Sequence, residues 1–177
     1  MLLAGAVPPL EAQHAPTRVE PQRLAPFVAS PQPVIEQMLN VAGLKKGETM
    51  FDLGCGDGRI LVTAAKQYGA SAVGVEMSAY LVKRALSEAR AAGGGDKVKV
   101  IQGDMRNVDV SSAQVVALYL MTEANDLLQP KLEKELKPGA RVVSLDFQFR
   151  NWKAARVQKV QSSHHNYTIY LYEMPQK

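Results

Sequence analysis

Residues Met50–Ile60, reading Met-Phe-Asp-Leu-Gly-Cys-Gly-Asp-Gly-Arg-Ile, constrain this chain more than any other stretch. An apolar run ends in an acid, three glycines alternate, and an amphipathic pattern starts at Arg59. That order describes a strand turning sharply into a helix. Gly54, Gly56 and Gly58 fall where left-handed backbone and close approach by a ligand are needed, and a side chain there would block the approach. Asp52 sets a carboxylate at the strand end, beside the free backbone N–H groups that open the helix. The stretch reads as a nucleotide-type binding turn; a tight connection without a ligand is the plainer alternative.

The spacing separates two kinds of ligand. Dinucleotide sites carry G-x-G-x-x-G, whereas this chain has Asp52-x-Gly54-x-Gly56-x-Gly58 with an acid already closing the strand. A carboxylate in the turn repels a pyrophosphate and attracts an ammonium. S-adenosyl-L-methionine carries an α-amino group and a sulfonium and has no phosphate, so it suits the turn better than NAD does. An NAD-dependent oxidoreductase is disfavoured on the same ground.

Two further acids repeat the placement. Ser71–Val75 is a second buried strand closing at Glu76, where an acid reaches a ribose diol in a doubly wound sheet. Lys97–Ile101 is a third, followed by Asp104, which can accept from an adenine amino group, and by Met105, which can cover the ring. In open α/β sheets ligands bind at the carboxyl ends of the strands, so Asp52, Glu76 and Asp104 form a coherent set.

The remaining elements complete the expected fold. Ser30 is placed to cap a first helix with Pro31 at its first position, running to about Gly43. Arg59–Tyr68 and Ser78–Ala92 are helices; Gln114–Leu120 is a fourth strand, with Thr122 capping a helix from about Glu123 to Leu136. Arg141–Asp146 is a fifth strand, and Ala154–Val160 with Asn166–Tyr172 reads as a hairpin. The sum is an α/β, Rossmann-like, doubly wound and mostly parallel seven-stranded sheet with a C-terminal antiparallel hairpin.

Composition narrows the classes. With 177 residues, 46% hydrophobic and 21% charged, the chain makes one domain, expected over residues 26–177. Residues 1–25, with Pro8, Pro9, Pro16 and Pro21, read as a disordered or loosely attached arm. The net charge of +4 is spread out, without a basic run or an aromatic-basic sheet for RNA. Cys55 is the single cysteine, which excludes an internal disulfide framework and a thiolate metal cluster, and no metal site is expected. His164 and His165 read as solvated loop residues. No apolar run reaches the roughly 18 to 20 residues that cross a bilayer. A cytoplasmic location is expected; Met1–Val7 followed by Ala12-Gln13 leaves export or membrane association open as the remnant of a signal. Oligomeric state is not legible.

Over roughly Pro26 to the C-terminus, these motifs resemble class I S-adenosylmethionine-dependent methyltransferases, most strongly at Asp52–Gly58, Gly74-Val-Glu76 and Gly103-Asp104. A narrower likeness runs through Pro26-Phe-Val-Ala-Ser-Pro31, Leu118-Tyr-Leu120, Pro130-Lys-Leu132 and Val143-Ser-Leu-Asp-Phe147. These resemble the prokaryotic relatives of the ATP synthase c-subunit lysine methyltransferase family, with Ala29-Ser30 where a Pro-Thr pair is more usual. The resemblance implies N-methylation of a protein lysine, with Phe27 to Ser30 enclosing the methionine end of the donor; Leu118 is a further candidate for binding the donor.

A lysine amine with a pKa of about 10.4 is neutral in only roughly one molecule in a thousand at pH 7, so an apolar channel or a nearby cation helps the reaction. The wall after the fourth strand, Tyr119-Leu-Met-Thr122, suits such a channel. Enzymes acting on base amines or glutamine amides carry Asn/Asp-Pro-Pro-Tyr there, and its absence argues against DNA. Tyr119, Asn125 and Asp146 are the candidate acceptor-side residues, each with a plainer role as core, helix start or loop cap. Trp152 reads as a packing anchor. A small-molecule N- or O-methyltransferase and an idle cofactor-binding module remain the competing functions.

Overall fold

A computed structural model describes residues 28–162 and 165–176. The arm expected over residues 1–25, with its signal-like start, and also Phe27 and His164, lie outside the described residues. Seven strands form one sheet: β1 (Thr49–Leu53), β2 (Ser71–Glu76), β3 (Val98–Gln102), β4 (Val115–Leu118), β5 (Arg141–Leu145), β6 (Arg156–Gln161) and β7 (Asn166–Glu173). Their order is β3-β2-β1-β4-β5-β7-β6. The first five are parallel; β7 runs antiparallel between β5 and β6. The expected doubly wound sheet with a C-terminal hairpin is therefore present. Strand order reverses between β1 and β4, the place where such sheets open a ligand crevice.

The central strands are continuous apolar runs because both faces are covered. Successive residues of β1 divide between the two sides: Met50 joins the core with α1 (Gln32–Val41) and α2 (Arg59–Gln67), while Phe51 joins the core with α4 (Thr122–Glu135). Between them in sequence, α3 (Ala79–Ala91) begins at a true cap, the Ser78 side chain accepting from Leu81 N–H. No helix joins β5 to β6. Phe149 and Trp152 fill that place, stacked at 4.1 Å between ring centroids, with Tyr172 edge-on to Phe149 at 5.2 Å. Trp152 is a packing anchor, its indole N–H donating to Glu133 Oε1 at 2.6 Å.

Two expected caps sit one residue away. Pro31 is the N-cap of α1, with Ser30 outside the helix and buried; Met121 is the N-cap of α4, with Thr122 already helical. In both cases the N-cap residue carries no side-chain oxygen, and neither helix start has a side-chain cap hydrogen bond.

Candidate functional site

An open cleft lies over the carboxyl ends of β1, β2, β3 and β4, at the reversal of strand order. Its floor is the glycine loop. Gly54 and Gly56 hold left-handed backbone, φ 85° and 55°, and both line the cleft. The loop is tied to the end of β2, with the Gly54 and Cys55 N–H groups sharing the Val75 carbonyl at 2.8 and 3.1 Å. Glu76 braces it further, accepting from Gly56 N–H at 3.1 Å on Oε2 and from Ser78 N–H at 2.8 Å on Oε1.

Gly58 does not face the cleft. A Cβ there would lie 2.7 Å from the Ala85 Cβ, so this glycine allows α3 to pack against the start of α2. Its grouping with the ligand-facing glycines is corrected by that contact.

Asp52 is the most unusual group in the site. It is 2% exposed, and its Oδ2 has no hydrogen-bond partner. Burial pushes its carboxyl up to about 8, with the Glu76 and Asp57 carboxylates adding to the rise. A buried polar atom without a partner costs about 1–3 kcal/mol, and such atoms in folded proteins call for an explanation. An unpartnered acid at the floor of a cleft is suited to a cationic ligand group, whose charge would return Asp52 to its ionised form.

Asp57 is answered within the protein. Burial raises its carboxyl, but hydrogen bonds from Arg59 at 2.9 and 2.7 Å outweigh that and hold it below the usual range. Arg59 also donates to the Ser30 carbonyl at 2.8 Å, fastening residues 28–30 across the loop so that Val28 and Ser30 line the cleft. Asp57 and Arg59 were not singled out in the sequence, although an acid and a base two residues apart directly after the glycines are a visible signal. Burial holds the Cys55 thiol well above its ordinary range, so it is an inert part of the wall.

Beyond β3, Gly103 and Met105 line the cleft, whereas the carboxylate of Asp104 is held by Arg106. Hydrogen bonding from Arg106 keeps that carboxyl below its usual value. Its oxygens are turned to the chain's own guanidinium, and reaching an adenine would require that pair to open. Gly103 is different: a Cβ there meets nothing within 4 Å.

On the far side, Tyr119 and Leu120 line the cleft, while Leu118 is fully buried in the α4-side core and makes no part of the wall. Asn125 is also fully buried: its amide donates to Ser144 Oγ at 3.2 Å and to the Phe147 carbonyl at 2.8 Å, bracing the loop after β5. It is a support for that loop rather than a wall of the cleft. Asp146 begins the loop in left-handed backbone, φ 61°, a conformation that costs a non-glycine residue about 1–2 kcal/mol. Strand β7 holds it there, exchanging Asp146 N–H to Thr168 C=O at 2.7 Å and Thr168 N–H to Asp146 Oδ1 at 2.8 Å. The free Oδ2 then meets the Tyr119 hydroxyl at 3.4 Å and His165 Nε2 at 3.1 Å. Burial and the Asp146 charge push the Tyr119 phenol up to about 12, so it remains a donor. His165 is an exposed loop residue, as read from sequence, and it also joins this cluster; no local pattern links residues so far apart in the chain.

Residues 52–156 match the family described as the ANTKMT methyltransferase domain. A protein-lysine N-methyltransferase from Saccharolobus islandicus is 43% identical over 148 residues, covering 83% of this chain and 92% of that protein. The ATP synthase c-subunit lysine N-methyltransferase of Mus musculus is 33% identical over 72% of this chain; the match spans 51% of its length, so the chain covers about half of that relative. Among solved structures, an RNA methyltransferase from Salinibacter ruber in complex with S-adenosyl-L-homocysteine is 40% identical, with a TM-score of 0.79 over 85% of this chain and 95% of that one. The glycine loop, the acid-lined crevice and these likenesses agree: the chain belongs to the ANTKMT methyltransferase domain family and is an S-adenosylmethionine-dependent methyltransferase.

Proposed function

We propose that this enzyme methylates the side-chain amine of a protein lysine. The observation that carries the reading is the unpartnered, buried Oδ2 of Asp52, set against a second carboxylate, Asp146, that faces the opposite wall through Tyr119. The cleft thus has one acid for the ammonium of the donor, and a second stands behind its Tyr119 wall, where its charge would act on the ammonium of an acceptor. When bound, S-adenosylmethionine supplies a methyl group on a sulfonium. Asp52 would hold its α-amino group, Gly54 and Gly56 would leave room for its approach, Glu76 would reach the ribose, and Met105 would cover the base. Ser30, with Val28, would close the methionine end. Asp104 would join only if it left Arg106.

The acceptor side needs alignment, exclusion of water and a nitrogen with a free lone pair. Tyr119 and Leu120 give an apolar wall, and Asp146 supplies a carboxylate that the strained backbone aims at it. Asn125 holds the loop in which Asp146 stands. The relatives from Saccharolobus islandicus and Mus musculus, both lysine methyltransferases by name, support the same acceptor.

The test uses tritiated S-adenosylmethionine and a cell lysate, fractionated into protein, RNA and small molecules, with acid hydrolysis of the protein. Tritium in methylated lysine is the expected result. Tritium confined to RNA, the substrate class named for the Salinibacter ruber protein, or to small molecules would overturn the reading. A second expectation concerns the empty space at Gly103. Gly103→Val leaves the melting temperature within about 2 °C, since nothing stands within 4 Å of its Cβ. It weakens donor binding by calorimetry about tenfold or more if the base lies along that edge.

A further inference from the structure

Asp146 Oδ2 is a junction between the cleft and solvent. The Tyr119 hydroxyl reaches it from the cleft wall, and His165 Nε2 lies 3.1 Å away on the outer side. The two partners of this contact differ in exposure: the Asp146 side chain is 15% exposed and the His165 side chain 56%. Asp146 is pinned by its two bonds to Thr168, and the His165 ring stands edge-on to Tyr167 with centroids 4.5 Å apart. Histidine is the side chain whose charge changes around neutral pH. A carboxylate paired with an imidazolium acts at a distance as a dipole, and its field on a third group falls sharply.

We infer that His165 gates the charge that Asp146 presents to the acceptor: with a neutral imidazole the carboxylate acts across Tyr119 on the acceptor nitrogen, and with an imidazolium it is cancelled. This rests on the lysine reading and assigns His165 as a positioning residue acting through Asp146. Each transfer turns an alkylammonium into a methylated alkylammonium. A C–N bond replaces a C–S bond, the sulfur keeps the electron pair, and one proton passes to water. The nitrogen is positive on arrival and becomes positive again as the new bond forms, so a counter-charge favours both binding and the transition state. Acid therefore depresses transfer beyond what protonation of the amine alone does.

Lys159 of β6 stands in register with Thr168 and, like the other groups around the junction, is common to the three proteins compared below. Tyr119, from the segment after β4, stays protonated, and Tyr167 comes from β7; Phe147 and Thr168 carry no charge. Arg150, in the loop after β5, is engaged by Glu123 and Asp126 of α4.

The experiment follows tritium uptake into lysine from saturating donor with the dilute protein fraction of a lysate, where the first-order rate reports kcat/KM. Between pH 8.5 and 5.5 the native enzyme is expected to lose about tenfold more activity than His165→Gln, whose amide can keep the bond to Oδ2 without titrating. His165→Ala should follow the shallower profile as well, at whatever absolute rate. Donor affinity measured by calorimetry across the same range should change equally in all three proteins, which sets aside the titration of Asp52. Parallel pH profiles, with or without a uniform loss of rate, overturn the gate while leaving lysine as the acceptor. Absence of tritium from lysine with the native enzyme overturns both.

Discussion

Asp52→Asn is expected to make the protein more stable and to cripple donor binding. The carboxyl of Asp52 is raised to about 8 in the folded chain, chiefly by burial, against an ordinary value near 3.8. Between these values the folded state holds a proton that the unfolded state has lost, so stability falls as pH rises through that window. It is fully present below about pH 4, and the penalty is complete above about pH 8. Asparagine does not titrate. The gain in melting temperature should therefore be near zero at pH 4, grow through neutrality and level off above pH 8. Donor binding responds in the opposite direction. Losing a charged hydrogen bond to a buried partner costs about 1.5–3 kcal/mol, which is about a 10- to 100-fold weaker dissociation constant. In native protein, saturating donor should flatten the loss of stability with pH, because a bound ammonium stabilises the ionised carboxylate. Thermal melts at several pH values and calorimetry check both halves. Unchanged affinity in Asp52→Asn would remove this carboxylate from the donor site, and a pH-independent difference in melting temperature would remove its raised pKa.

Gly58→Val is expected to cost the most stability of any single change in the glycine loop. The backbone there has φ 80°, and an added Cβ would stand 2.7 Å from the Ala85 Cβ and 3.0 Å from its Cα. Left-handed backbone costs about 1–2 kcal/mol for an ordinary residue and more for a β-branched one, while overpacking adds about 1–3 kcal/mol. Because the obstacle includes the backbone of α3, a change of rotamer does not relieve it. A total of about 3–5 kcal/mol corresponds to about 6–20 °C in a domain of this size. Adding Ala85→Gly should recover the part due to the Cβ contact and leave the part due to φ. A double variant no more stable than Gly58→Val, after allowing about 1 kcal/mol for a glycine inside α3 as read from Ala85→Gly alone, would show that the helix contact is not the cause. A melting temperature for Gly58→Val within a few degrees of the native value would contradict the packing altogether.

The central parallel strands were legible because they are short, mostly apolar runs, a pattern that burial on both faces produces directly, whereas the edge strand β3 alternates apolar with polar residues. The glycine loop was legible for the same local reason: alternating glycines after an acid have few other uses. Strand β6 shows how far alternation goes. Its exposed Arg156, Val157 and Lys159 fit an edge, and the structure places β7, the more apolar of the pair, next to β5. The helix caps at Ser30 and Thr122 were each displaced by one residue, onto Pro31 and Met121, neither of which has a side chain that can cap.

The donor-side reading illustrates the other limit. Gly54, Gly56 and Gly58 share one spacing, yet two line the cleft and the third packs on Ala85 in another helix. Glu76 and Asp104 both close parallel strands, yet one carboxylate braces the glycine loop and the other is captured by Arg106 two residues on. Leu118 and Tyr119 are neighbours, and the pleat sends one into the core and the other to the cleft.

By itself, then, the sequence determined the order of strands and helices, the crevice at their carboxyl ends and the acid that closes β1 beneath it. These follow from periodicity and from the backbone freedom of particular residues, which are properties of adjacent positions. Only the tertiary structure decided which way each side chain points and which partners consume its charge. It alone joined Tyr119, Asp146 and His165 on one oxygen and left Asp52 with none. The reason is that hydrogen bonds and desolvation act through space, so the chemistry of a carboxylate is set by groups the chain brings to it from far along its length.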